Sequence, residues 1–274
     1  MTTSPYEVSG FSVETKTVAL STGPVTYQEA GRGTPIVHLH GAGSVRHSWG
    51  LQLLAQTFRV IMPICPGFDD TPMHDGVNSM SDLGKMTGEF IDSVVGAPAD
   101  IIGISFGGWH AVWVAINCPD KVGQLVLENP AGFRPSHLPP LTTDPKLRFR
   151  EMYVYPERLP KDHRTEEDRN RNRAVMADYH PGMTFDEEAH ERCSEIKALT
   201  LICHGTKDGR IAPETVQMLK ARIPHSHLVY IYNGGHSLES DQGERFARLV
   251  KDFCLRGESF IVNQKVDDAP TAAE

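Results

Sequence analysis

The sequence predicts an α/β protein: a mostly parallel sheet flanked by helices and interrupted by a helical insertion. Three observations predict it. Short, nearly continuous apolar runs recur along the chain, the pattern of strands buried on both faces. Helical periodicity fills the gaps between them, which makes βαβ units. From Arg134 to Ser194 that rhythm stops, and 11 Lys/Arg and 12 Asp/Glu crowd a segment of a chain that is 23% charged overall.

The elements follow in chain order. "ETKTVAL" (14–20) and "GPVTYQEAG" (23–31) half-alternate and meet at a Ser-Thr-Gly turn, which predicts a hairpin. "PIVHLH" (35–40), "RVIMPIC" (59–65), "DIIGIS" (100–105) and "QLVLEN" (124–129) are the apolar runs of buried strands. Residues 79–96 place Leu83, Met86, Phe90 and Val94 at helical spacing. Residues 107–120 are apolar all round and end near Pro119, which predicts a buried helix. Inside the charged segment, "TEED" at Thr165 and "TFDE" at Thr184 read as capping boxes. The rhythm resumes with a strand at 199–205, a helix at 213–223 with Pro213 in its first turn, a strand at 227–235 and an amphipathic helix at 240–257. The last 13 residues, "VNQKVDDAPTAAE", read as a frayed end.

Composition narrows the partners. A net charge of −8 gives no basic surface for nucleic acid or an anionic membrane. No apolar run reaches the ~20 residues of a membrane span. The start, "MTTSPYEVSG", has no secretory pattern. The five cysteines (Cys65, Cys118, Cys193, Cys203, Cys254) are scattered and form no CxxC pair, so they read as reduced thiols in a cytoplasmic protein. No close set of ligands suggests a metal.

The chemistry centres on Gly103-Ile104-Ser105-Phe106-Gly107, a G-x-S-x-G match set where a buried strand turns into a buried helix. Gly103 and Gly107 let the two arms approach closely, so Ser105 can hold a strained conformation with its hydroxyl lifted clear. A serine hydroxyl needs a base, and the base needs an orienting acid. His236, in "NGGHS", lies just past the last strand, and Asp208, in "GTKDGR", just past the strand before it. Parallel strands bring these ends to one edge with Ser105, in the order Ser…Asp…His. The other strand-end histidines, His38, His40, His204, His225 and His227, read as structural or surface residues. An oxyanion needs backbone N–H donors. Phe106 supplies one, and Ala42, in the "HLHGAGS" loop behind His40 and Gly41, the second.

These residues resemble the α/β-hydrolase superfamily over nearly the whole chain: the HG loop at 40–43, "CPGF" at 65–68, the elbow at 103–107, "GTKD" at 205–208 and "GGH" at 234–236. The resemblance implies an eight-stranded, mostly parallel sheet with a core of residues 1–133 and 195–274 and a helical cap at 134–194. It also implies a serine nucleophile, an acyl-enzyme and no cofactor. The loop after the fourth strand departs from the family's D-x-P-G-x-G-x-S: Ile64 replaces its Asp and Asp69 its second Gly. Carbon–carbon hydrolases of ring-fission products often carry Asn before the serine, where this chain has Ile104.

The expected reaction is hydrolysis of a small, largely apolar ester, thioester or lactone. Carbon–carbon hydrolysis of a ring-fission diketone is the alternative, and a non-catalytic ligand-binding protein of the same fold is a third reading. Specificity is expected from apolar cap residues among Leu147, Phe149, Met152, Tyr153, Tyr155, Val175, Met176 and Tyr179, with Trp49 and Phe68 near the motif loops and Trp109 packed in its helix.

Overall fold

The structure, a computed structural model, describes residues 5–261. The end read as frayed, from Val262 on, lies outside them. Eight strands form one sheet in the order β1-β2-β4-β3-β5-β6-β7-β8. They are β1 (Glu14–Leu20), β2 (Gly23–Ala30), β3 (Pro35–Leu39), β4 (Arg59–Pro63), β5 (Ala99–Ile104), β6 (Val122–Glu128), β7 (Leu199–Gly205) and β8 (Ser226–Ile231). The expected hairpin forms, with Leu20 opposite Gly23. Strand β2 runs antiparallel to β4, and all pairs from β4 to β8 are parallel.

The order reverses at β3. The chain leaves it for β4 on one side and returns to β5 on the other, with Leu39 level with Gly103. The loops after β3 and β5 therefore emerge side by side, the place where open α/β sheets bind ligands. Every residue of β5 is buried, which is why its run lacks polar alternation.

Helices cover both faces. Among them, α1 (Trp49–Leu54), α2 (Met80–Val94) and α3 (Phe106–Asn117) fall between the early strands. All of α3 except Asn117 is buried, as its uniformly apolar sequence requires. The charged segment holds α4 (Pro145–Met152), α5 (Glu166–Asp178) and α6 (Glu187–Arg192). Thr165 caps α5 through the expected reciprocal box with Asp168. Thr184 does not cap α6. Asp186 does, because its carboxylate reaches the Ala189 N–H and also takes both indole N–H groups of Trp109 and Trp113, at 2.7 and 2.8 Å. Helix α7 (Pro213–Arg222) begins at its proline. The closing helix is split: α8 (Leu238–Asp241) and α9 (Gly243–Arg256) are separated by Gln242 in a non-helical conformation. No described helix is long and apolar enough to cross a membrane.

Candidate active site

Ser105 stands between β5 and α3 at φ 54°, ψ −115°. Few L-residues hold a positive φ without help from their surroundings. Here the backbone is fully engaged. The Ser105 N–H donates to Glu128 O, and its carbonyl accepts from Gly108, Trp109 and Ala131. The flanking glycines have a steric reason. A Cβ on Gly103 would sit 2.2 Å from the Gly107 carbonyl oxygen, and one on Gly107 2.0 Å from the Leu39 oxygen.

His236 and Asp208 meet. Asp208 Oδ2 lies 2.9 Å from His236 Nδ1, with the carboxylate side chain fully buried. Asp208 Oδ1 accepts from the N–H groups of Arg210 and Ile211. The carboxylate accepts at both oxygens, so Nδ1 is the donor and Nε2 is left as the basic nitrogen. The His236 N–H donates to Met152 O, at the end of α4.

The loop after β3 runs over the serine: a Cβ on Gly41 would be 3.6 Å from Ser105 Cβ. A turn closed by Ser44 N–H to Gly41 O carries Ala42. His40 holds that turn from below. Its Nδ1 bonds Gly41 O at 2.8 Å, while its Nε2 accepts from the Cys65 N–H. Burial pushes the His40 imidazole down to about 4, so it is the neutral tautomer with Nδ1 protonated. Phe106 opens α3, where amides lack helical acceptors. Among the described residues no group of side chains is arranged to hold a metal ion, and all five cysteines are free.

The departing loop has its own solution. Asp69 adopts φ 49°, ψ 45°, the left-handed region a glycine would fill. Its carboxylate accepts from Arg164 Nε and Nη2 (2.7 and 2.6 Å), Ser44 Oγ (2.7 Å) and Asn172 Nδ2 (2.9 Å). Burial works to raise its pKa, but these bonds outweigh it and hold the carboxyl well below the usual range.

The expected specificity residues divide. Tyr179 is buried, bonds Pro66 O and lies 6.3 Å from the Phe106 ring. Phe68 is buried between His40 and Phe106. Tyr153 OH meets Arg46, and Arg158 stacks on Tyr155. Trp49 packs on Tyr6, and Trp109 is buried in its helix. Leu147 and Phe149 face outward, 50% and 44% exposed. Of the strand-end histidines, His38 is buried with Nε2 3.0 Å from Glu239.

Three polar residues that sequence reasoning passed over tie the site together. Glu128 ends β6 and accepts from the Leu238 and Glu239 N–H groups. Burial, then the nearby Glu239 carboxylate, push its carboxyl well above the usual range. Asn129 bonds the His236 loop. Asp241 accepts from Val154, Tyr155 and Gly235 N–H groups, joining the end of α4 to that loop. The only sequence signal for the first two was an abrupt polar pair closing an apolar strand.

A strand-to-helix serine elbow and an imidazole–carboxylate pair, both bonded to the Glu128–Asn129 end of β6 on an eight-stranded sheet of this order, define a hydrolase class. A family model described as "Alpha/beta hydrolase family" matches residues 36–249, and the chain belongs to that family. It is 28% identical to the 2-hydroxy-6-oxononadienedioate/2-hydroxy-6-oxononatrienedioate hydrolase of Burkholderia vietnamiensis, over 85% of this chain and 91% of that protein. Its fold is similar to a serine hydrolase of the polyaromatic-hydrocarbon-degrading bacterium Cycloclasticus zankles (TM-score 0.75, 20% identity, covering 92% of this chain and 100% of that one). It is also similar to a meta-cleavage product hydrolase of Pseudomonas fluorescens (TM-score 0.67, 24% identity, 88% and 97% covered).

Proposed function

We propose that the protein hydrolyses a carbon–carbon bond next to a carbonyl in a ring-fission-type diketone, with Ser105 as nucleophile, His236 as base and Asp208 as its orienting acid. The observation that carries the choice of substrate is the similarity to a hydrolase of 2-hydroxy-6-oxo-dienedioates along 85% of the chain. In this reading Nε2 of His236 takes the Ser105 proton as Oγ attacks the carbonyl. The Ala42 and Phe106 amides receive the oxyanion, with His40 and Gly41 supporting that loop. Collapse of the tetrahedral adduct breaks the C–C bond. The electron pair leaves into the conjugated carbonyl system, and the carbon fragment takes the proton from His236. Water, deprotonated by the same imidazole, then releases the acid. Residues 134–194 act as a cap over a core of 1–133 and 195–274, and no cofactor takes part.

Ester hydrolysis is the second reading. It is favoured by the apolar, buried Ile104 before the serine, which offers no polar group to a dienoate. It needs the same residues but no electron sink in the leaving group. One assay separates them: ring-fission diketones against acyl esters, thioesters and lactones, with wild type and Ser105→Ala together. The expected result is a higher kcat/KM on the diketones and a loss of about a thousandfold or more in the variant. A preference for simple esters selects the second reading. If Ser105→Ala turns over normally, or a fluorophosphonate fails to label wild type, the nucleophile assignment is wrong.

A further inference from the structure

The residues Glu128 and Asn129 bond the serine elbow, the Asp208 turn and the His236 loop. Glu128 O accepts the Ser105 N–H, and its side chain accepts the two amides that follow Ser237. Asn129 does more. It is fully buried and sits at φ 41°, a conformation that Asn tolerates better than most residues. Its Nδ2 donates to His236 O at 2.9 Å and to Gly235 O at 3.1 Å. Its Oδ1 accepts the Gly205 N–H at 3.1 Å, and the Asp208 N–H in turn closes on Gly205 O. One carboxamide thus uses both donors on the main chain of the base and its oxygen on the turn of the acid.

We infer that Asn129 is a positioning residue: it fixes the His236 main chain against the Asp208 turn, so that the imidazole meets both the carboxylate and the serine. The inference rests on the triad reading above. A buried carboxamide with every polar group used has no easy alternative geometry, because each lost bond leaves a dry carbonyl or amide. Loosening that joint moves the base relative to the nucleophile, which lowers kcat far more than substrate affinity.

Two variants test it. Asn129→Gly keeps the left-handed backbone and deletes the carboxamide; kcat should fall about 10- to 100-fold with KM within about threefold. Asn129→Asp keeps the acceptor for Gly205 but sets an oxygen against the His236 and Gly235 carbonyls. Protonated, that oxygen can donate to one of them; ionised, it repels both. The ratio of variant to wild-type kcat should therefore fall as pH rises from 5.5 to 8.5. The titratable groups on the segments bonded to Asn129 are Glu128 on β6, Cys203 and His204 on β7, Asp208 beyond it, His236 in the loop after β8, and Glu239 and Asp241 in α8, where Asp241 holds the Gly235 N–H. They are common to both proteins, so the ratio isolates the new carboxyl. A kcat of Asn129→Gly within twofold of wild type, or a ratio for Asn129→Asp that is the same at every pH, overturns the inference. Ser105→Ala and His236→Ala in the same assay keep the two levels apart. If they are inactive while Asn129→Gly is not, only the positioning role fails; if they are active, the triad itself does.

Discussion

Ser105 holds a backbone conformation that costs on the order of 1–3 kcal/mol, and four hydrogen bonds to its own amide and carbonyl offset that strain. At the same scale, two buried histidines write a pH dependence into the molecule. Burial pushes His40 and His110 from an ordinary value of 6.5 down to about 4. Both are bonded as neutral rings: His40 Nε2 accepts an amide, and His110 bonds Leu83 O and Thr87 through Nε2 while its Nδ1 faces the Cys65 sulfur. The unfolded chain binds these protons and the folded one does not, so stability rises with pH across the window. It is fully present above about 6.5 and is lost as pH falls toward 4, on the order of 3 kcal/mol per ring. Melting temperature measured from pH 7 to pH 4 should drop over that range, and His110→Gln should flatten the slope by the share of one ring.

The elements show how short-range pattern and long-range contact divide the work. The elbow was legible because its glycines answer a local demand, the crossing of β5, α3 and the end of β3. Gly107→Ala should cost about 3 kcal/mol or more, since its new methyl would meet the Leu39 carbonyl rather than a yielding side chain; denaturant unfolding measures it. The start of α6 was not legible. Thr184 fits a capping pattern, but Asp186 is the residue that the Trp109 and Trp113 indoles hold in place. Asp241 joins α4 to the His236 loop across 87 residues of sequence. Asp241→Ala would leave the amides of Val154, Tyr155 and Gly235 without their acceptor. It should cost about 2–4 kcal/mol in the same unfolding experiment and lower kcat with it.

On the scale of the whole molecule, Asp69 buckles the charged segment to the core. It accepts from Arg164 and Asn172 on one side and from Ser44 in the Ala42 loop on the other. Asp69→Gly suits the left-handed backbone and removes only the tether. It should lower stability by about 1–3 kcal/mol and raise amide exchange in α5. Asp69→Ala should cost roughly 1 kcal/mol more, because alanine lacks the freedom of glycine at that φ.

By itself the sequence determined the strand rhythm, the serine elbow and the positions of Asp208 and His236. Those follow from periodicity and from the rule that parallel strands end at one edge. The tertiary structure alone decided what holds them there. Asn129 reaches partners 76 to 107 residues away, and Asp69 meets Arg164 across 95. A polar side chain carries no local pattern announcing its partner; only when folding removes water does its hydrogen bond become obligatory and its role readable.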